Sequence, residues 1–99
     1  MNVLSSIALS GVQAAQTRLN ATANNIANVN TEGFRRDEVS AQAREGGGVS
    51  VTVAKATQPG VDLVQDVVEQ KLAVLEFKAN VQVLKTSAEL TGTLLDVKA

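Results

Sequence analysis

From Leu63 onward, apolar side chains return every three or four residues to the end of the chain. The row is Leu63, Val67, Gln70, Val74, Phe77, Val81, Leu84, Ala88, Thr91 and Leu95, and eight of its ten members are apolar. That spacing is the signature of an amphipathic helix, sustained here over more than four heptads. At 1.5 Å per residue, 35 residues of helix would reach on the order of 50 Å. A globule of this mass has no room for such a rod, so the chain is expected to be elongated. A second row, Leu72, Ala79, Val83, Thr86, Leu90 and Val97, runs along another side of the same helix. One stripe suffices for a two-helix hairpin; two stripes predict contact with more than one neighbour. Gly92 weakens the last turns by roughly 1 kcal/mol relative to alanine.

The other end of the chain has the same period. Leu4, Ala8, Gly11, Ala15, Leu19, Thr22 and Ile26 share one face, widened by Ile7, Val12, Ala14, Ala23 and Ala27. The pattern predicts a helix from about Asn2 to about Asn28. Much of its apolar face is small, which lets a partner helix approach toward the short end of the roughly 8–10 Å range. The segment then runs into "ANNIANVNTEGF", residues 23–34, with Asn24, Asn25, Asn28 and Asn30 in quick succession. Asparagine at a helix end caps carbonyls, takes up the left-handed conformation, or holds a turn through its side chain. Gly33 falls where that turn calls for positive φ.

Between the helices the period drops to two. Val39, Ala41 and Ala43 alternate with Ser40, Gln42 and Arg44, and Val49, Val51 and Val53 alternate with Ser50 and Thr52. Two alternating runs joined by Glu45-Gly46-Gly47-Gly48 predict a β-hairpin, although the triple glycine is equally compatible with a frayed loop tip. An isolated hairpin is marginal in water and must lean on a helix or another chain. Pro59-Gly60 ends the strand pattern, and Asp62 and Asp66 place negative charge at the start of the next helix. The expected architecture is mainly α: an antiparallel pair of long, coiled-coil-like N- and C-terminal helices with a small β-hairpin inserted between them. It divides into 1–30 as N-terminal helix, 31–60 as turn, hairpin and Pro-Gly linker, and 61–99 as C-terminal helix, all one structural unit.

Composition removes most enzyme chemistry. The chain has no Cys or His, which excludes disulfides, thiolate or imidazole metal sites, and catalysis dependent on either residue. No acidic run has calcium-loop spacing, and Gly46-Gly47-Gly48 is not followed by the Lys-Ser/Thr of a phosphate loop. We therefore expect no enzyme activity, no catalytic residues, no cofactor, no metal and no small-molecule substrate. Lys71, Lys78 and Lys85 recur every seven residues, but the net charge is −1 and no aromatics interleave, so a solvated face is expected and not nucleic-acid binding. Asn20-Ala21-Thr22 fits a glycosylation sequon in mid-helix and carries no expected role. The N-terminal "MNVLSSIALSGVQAA" has no basic n-region, the first basic residue being Arg18, which argues against a cleaved signal peptide. No apolar run is long enough to span a membrane.

Residues 8–36, "ALSGVQAAQTRLNATANNIANVNTEGFRR", resemble the N-terminal signature of bacterial flagellar rod and hook axial proteins. The Ala-Asn-Asn-Ile/Leu-Ala-Asn core of that signature falls on Ala23, Asn24, Asn25, Ile26, Ala27 and Asn28, and its turn on Asn30, Thr31, Gly33 and Phe34. Residues 61–99 resemble the family's C-terminal helix through Ala79, Asn80, Val83, Leu84 and Thr86, followed by Leu94-Leu95-Asp96. The chain departs from the pattern in its short middle, in Glu32 where proline is frequent, and in "AVLEFKAN" where the family often reads Gln-Arg-Ala-Tyr/Phe-Glu-Ala-Asn. These departures suggest a minimal or divergent rod-like protein and leave its axial position open.

The resemblance implies a structural subunit of the flagellar basal-body rod, packing on itself and on other axial rod and hook proteins. It implies export by the flagellar type III apparatus without a cleaved signal, and a place in the rod that spans the periplasm. Val67, Val74, Phe77, Val81, Leu84 and Leu95 are the expected main seam, partly against Leu4, Ile7, Leu19 and Ile26. Two roles are open to Asn24, Asn25 and Asn28: local capping, or amide bridges between neighbouring helices. The competing reading is a stand-alone coiled-coil module, an adaptor or export-related chaperone outside the rod.

Overall fold

The computed structural model describes the backbone of residues 3–98 and the side chains of residues 3–94. Helix α1 spans Val3–Ala27, strands β1 and β2 span Asp37–Ala43 and Val49–Lys55, and helix α2 spans Leu63–Lys98. The two helices pack along each other, and the strands form one antiparallel hairpin lying on α1. With extents of 63 × 24 × 13 Å and a radius of gyration of 17.3 Å, the chain is a slab. A globular domain of this length has a radius near ~13 Å. The expected mainly helical fold with an inserted hairpin is the one observed.

Local chemistry accounts for each boundary. Asp62 caps α2: its Oδ1 accepts the Gln65 amide at 3.1 Å and its carbonyl accepts the Asp66 amide at 3.0 Å. Asn28 ends α1, its Nδ2 donating back to the Asn24 carbonyl at 2.9 Å. The hairpin pairs Asp37 with Lys55 through to Ala43 with Val49, which puts the alternating Val and Ala residues of both strands on one face. Of these only Val39, Val49 and Val51 are half-buried, because one narrow helix cannot cover a whole sheet face.

The triple glycine is a docked loop and not a frayed tip. Gly46, Gly47 and Gly48 all have positive φ, from 89° to 106°. The Ser10 hydroxyl donates to the Ile7 carbonyl at 2.7 Å and accepts the Val49 amide at 3.0 Å, tying the loop to α1. A Cβ on Gly48 would lie 2.8 Å from Ser10 Oγ, whereas one on Gly46 would meet nothing. Gly48→Ala should therefore cost roughly 2 kcal/mol, from backbone strain plus loss of the serine bridge. Gly46→Ala carries the strain alone and should cost roughly 1 kcal/mol. Thermal melts followed by helical circular dichroism check this, and equal losses at the two sites would count against the docked loop.

The helix seam departs from the expected row. Its buried α2 residues are Asp66, Ala73 and Ser87, with Asn80 half-buried between them, a seven-residue repeat. Facing them on α1 are Ser5, Ala8, Gly11, Ala15, Thr22 and Asn25. The Ser5 and Ser87 hydroxyls hydrogen-bond at 2.9 Å, Gly11 sits against the Asn80 side chain, and Asn25 reaches Asp66. All fully buried apolar residues among those described are alanines: Ala8, Ala14, Ala15, Ala21 and Ala73. The helices thus close on small and polar side chains. The bulky row predicted from the sequence is displaced to the margin, where Val67, Phe77, Val81 and Leu84 are half-buried. Val74, Ile7 and Leu4 are 36%, 38% and 49% exposed. Leu19 and Ile26 are half-buried on α1, while the Leu95 and Val97 side chains lie outside the described residues. The physical reason is close approach: with alanine, glycine and serine at the crossing, no space is left for leucine.

Candidate functional site

The signature residues build a polar knot where α1, β1 and α2 meet. Asn25, 3% exposed, uses its whole amide within the chain. Its Oδ1 accepts the Asp37 amide at 2.7 Å, and its Nδ2 donates to the Asp37 carbonyl at 3.0 Å and to Asp66 Oδ1 at 3.3 Å. Asp66, 2% exposed in the first turn of α2, also receives the Arg36 guanidinium through Nε at 3.2 Å and through a second, short contact. That bond to Asp66 holds the Arg36 pKa above its ordinary value, with burial opposing it. Asn24 Nδ2 donates to Asp37 Oδ2 at 2.8 Å, and Lys55 pairs with Asp37 Oδ1 at 2.7 Å.

The Asp37 carboxyl is held below the usual carboxylate range, chiefly by its hydrogen bond from Lys55, with Asn24 adding to it and burial opposing. A carboxyl lowered by folding stabilises the fold above its unfolded pKa, about 3.9, and loses that contribution as pH falls through the lower folded value. The stability gap between the native chain and Asp37→Asn should therefore be full above about pH 4 and close below it. Urea titrations at stepped pH measure the gap, and a gap constant down to pH 2 would refute the assignment.

The remaining signature residues shape the turn. Thr31 donates its hydroxyl to Asn28 Oδ1 at 3.1 Å and its amide to the Asn28 carbonyl at 2.9 Å. Gly33 has φ of +73° with open space around it. Phe34 is half-buried with the Lys55 ammonium 4.9 Å above its ring. Ala23, Ala27 and Asn30 are exposed, and Ile26 is half-buried. Arg36, Asp37 and Asp66 were not singled out as site residues by sequence reasoning. No local signal marks the Arg36–Asp66 pairing, because the two residues lie 30 positions apart in the chain.

The second feature is the outer face of α2. Val64, Val68, Leu72, Leu75, Val83, Leu90 and Leu94 are 38% to 76% exposed, with Ala79 and Thr86 filling the gaps. α2 therefore carries large apolar residues on its outer face as well as along the margin of the seam. A shallow apolar groove of about 410 Å³, lined by Leu19, Gln70, Lys71, Val74 and Leu75, adjoins this face. A more polar cleft of about 380 Å³ under the hairpin is lined by both signs of charge, including Arg18, Arg36, Glu38 and Glu69. No cluster of potential metal ligands occurs among the described residues. No described helix is long and apolar enough to cross a membrane.

Residues 1–35 match the sequence model of the family described as flagella basal body rod protein. Over these residues the chain is similar to that rod family. The match covers α1, the asparagine cluster and the turn, and ends just before Arg36 of the knot. The likeness of residues 61–99 to the rod family's C-terminal helix stands on the residues alone. No curated protein matches the chain. Within the matched segment and just beyond it, the Asn24 and Asn25 amides hold the helix end to the first strand of the hairpin.

Proposed function

We propose that this chain is a structural subunit of the flagellar basal-body rod, acting by helix–helix association with its own copies and with related axial proteins. One observation carries the reading: the helices close on alanine and serine while the large apolar side chains of α2 face outward. The accessible surface is 6786 Å², against roughly 5,400 Å² for a typical folded monomer of this mass. A contiguous apolar face of this length marks an interaction surface. A heterologous contact repeated by rotation and translation builds a tube or filament, the architecture a rod requires. Delivery through the flagellar type III export apparatus and residence in the periplasm-spanning rod follow from this reading.

The test is retention in detergent-extracted hook–basal bodies from the host. Stoichiometric retention through high-salt and acid washes is expected. Leu72→Asp with Leu75→Asp should abolish it while leaving the helical spectrum of the isolated chain intact, since both residues lie away from the seam. Absence of the native chain from basal bodies that keep their other rod proteins would overturn the reading in favour of a soluble coiled-coil module.

A further inference from the structure

β2 uses only one edge of β1. The Arg36 carbonyl accepts the Ala56 amide and the Arg44 amide donates to the Gly48 carbonyl, so the even-numbered residues of β1 hold the ladder. In an antiparallel pair the intervening residues turn their amides and carbonyls to the opposite edge. Those of Asp37 are already engaged by the Asn25 side chain, whose amide stands where the first peptide group of a third strand would stand. The next three, at Val39, Ala41 and Ala43, have no partner among the described residues.

Because Asn25 also reaches Asp66, this free edge faces α2. α2 packs on α1 but on neither strand, which leaves a trough between helix and hairpin. Two cavities, of about 380 Å³ and about 360 Å³, occupy the trough and meet at Arg18, which lines both. The floor is one face of α1: Ile7, Gly11, Ala14, Arg18 and Ala21, in alternating steps of four and three. Gln65, Glu69, Glu76 and Asn80 form the α2 wall, with Glu38 and Val39, then Gly48, opposite. From Ile7 to Thr22 the floor runs about 22 Å, the length of roughly seven residues of extended chain.

The charges in the trough are unbalanced. Arg18 is in no ion pair, and its buried Nε has no hydrogen-bond partner. Glu38, Glu69 and Glu76 are also outside any ion pair among the described residues. Arg36 and Asp37 are neutralised by Asp66 and Lys55, which leaves three carboxylates against one guanidinium. That balance favours a basic occupant. The strand edge favours an extended one, since a helix satisfies its own backbone groups and would leave Val39 and Ala41 unpaired.

We propose that this trough binds an extended, basic segment of another protein chain, which adds as a third strand along β1. Its main chain pairs with Val39 and Ala41, and its far-side carbonyls accept from the Arg18 guanidinium. Its lysine or arginine side chains lie beside Glu38 and Glu69. Such binding is separate from assembly through α2 and holds whether or not the chain enters the rod.

The probe is a fluorescein-labelled peptide of about seven residues, alternating valine and lysine and blocked at both ends, added to the full-length chain. Anisotropy should show saturable binding below about 1 mM, weakened about tenfold by methylating the peptide nitrogens that face β1. Glu38→Gln with Glu69→Gln should weaken it by a similar factor. Ala41→Pro removes an amide that β2 does not use, so the hairpin survives while affinity falls about tenfold. The helical spectrum is the control for each variant. In hydrogen exchange the peptide should slow the Val39 and Ala41 amides and leave Ser40 and Gln42, already bonded to β2, unchanged. Binding that leaves Val39 and Ala41 exchanging freely would overturn the proposal. So would equal affinity for the same peptide with glutamate in place of lysine, or no binding at about 1 mM. Slowing of these amides by raising the chain's own concentration, without peptide, would assign the edge to a second copy and also overturn it.

Discussion

Arg36→Ala should destabilise the chain by about 3–5 kcal/mol, the cost of leaving a buried charge without its partner. The Asp66 side chain is 3% exposed and Arg36 is its ion-pair partner. Without the guanidinium, Asp66 keeps only the long Asn25 contact at 3.3 Å and the position at the start of α2. A chain whose fully buried apolar residues, among those described, are all alanines has little stability to spare, since small domains hold only about 5–15 kcal/mol in total. The variant should melt at or below room temperature, and α1, the hairpin and α2 should separate together. Arg36→Met with Asp66→Leu should recover much of the loss, because replacing both charges leaves neither unpaired. Chemical denaturation followed at the helical band measures both. A single-variant loss under 0.5 kcal/mol would mean that the pair behaves as a solvated surface bridge.

Asn25→Ala should cost about 2–4 kcal/mol by a different route. The substitution removes the acceptor for the Asp37 amide and the donor to its carbonyl, and buried backbone groups without partners each cost roughly 1–3 kcal/mol. Asn25→Asp keeps the size and the acceptor but loses the donor and adds a charge beside Asp66, so it should be at least as damaging. Hydrogen exchange at the Asp37 amide gives the direct readout, with protection lost in both variants. If Asn25→Asp retained native stability, size alone would explain the residue and the bridging role would be wrong.

The asparagine cluster therefore has a division of labour. Asn28 finishes the helix and pins Thr31, Asn25 joins three elements, and Asn24 orients the Asp37 carboxylate. Each of these three amides has a partner inside the chain. The large apolar side chains of the outer face of α2, by contrast, are exposed.

Much of the architecture was legible in residue order alone. Periods of 3.6 and two located both helices and both strands, because backbone geometry imposes those spacings on any half-buried element. The turn at Gly33 was readable for the same local reason, whereas the likeness of the asparagine cluster to the rod family rested on resemblance. Which face of each helix meets the other was not. Hydrophobic periodicity ranks positions by apolarity, so it selected Val74 and Leu84 and passed over Asp66, Asn80 and Ser87. Only the tertiary structure shows that small and polar residues occupy the crossing, where distance between backbones matters more than apolarity. The Arg36–Asp66 pair, 30 positions apart in the chain, was equally hidden until the hairpin laid one beside the other. Local spacing is written in neighbouring residues, whereas the choice of partner depends on how closely two distant segments can approach.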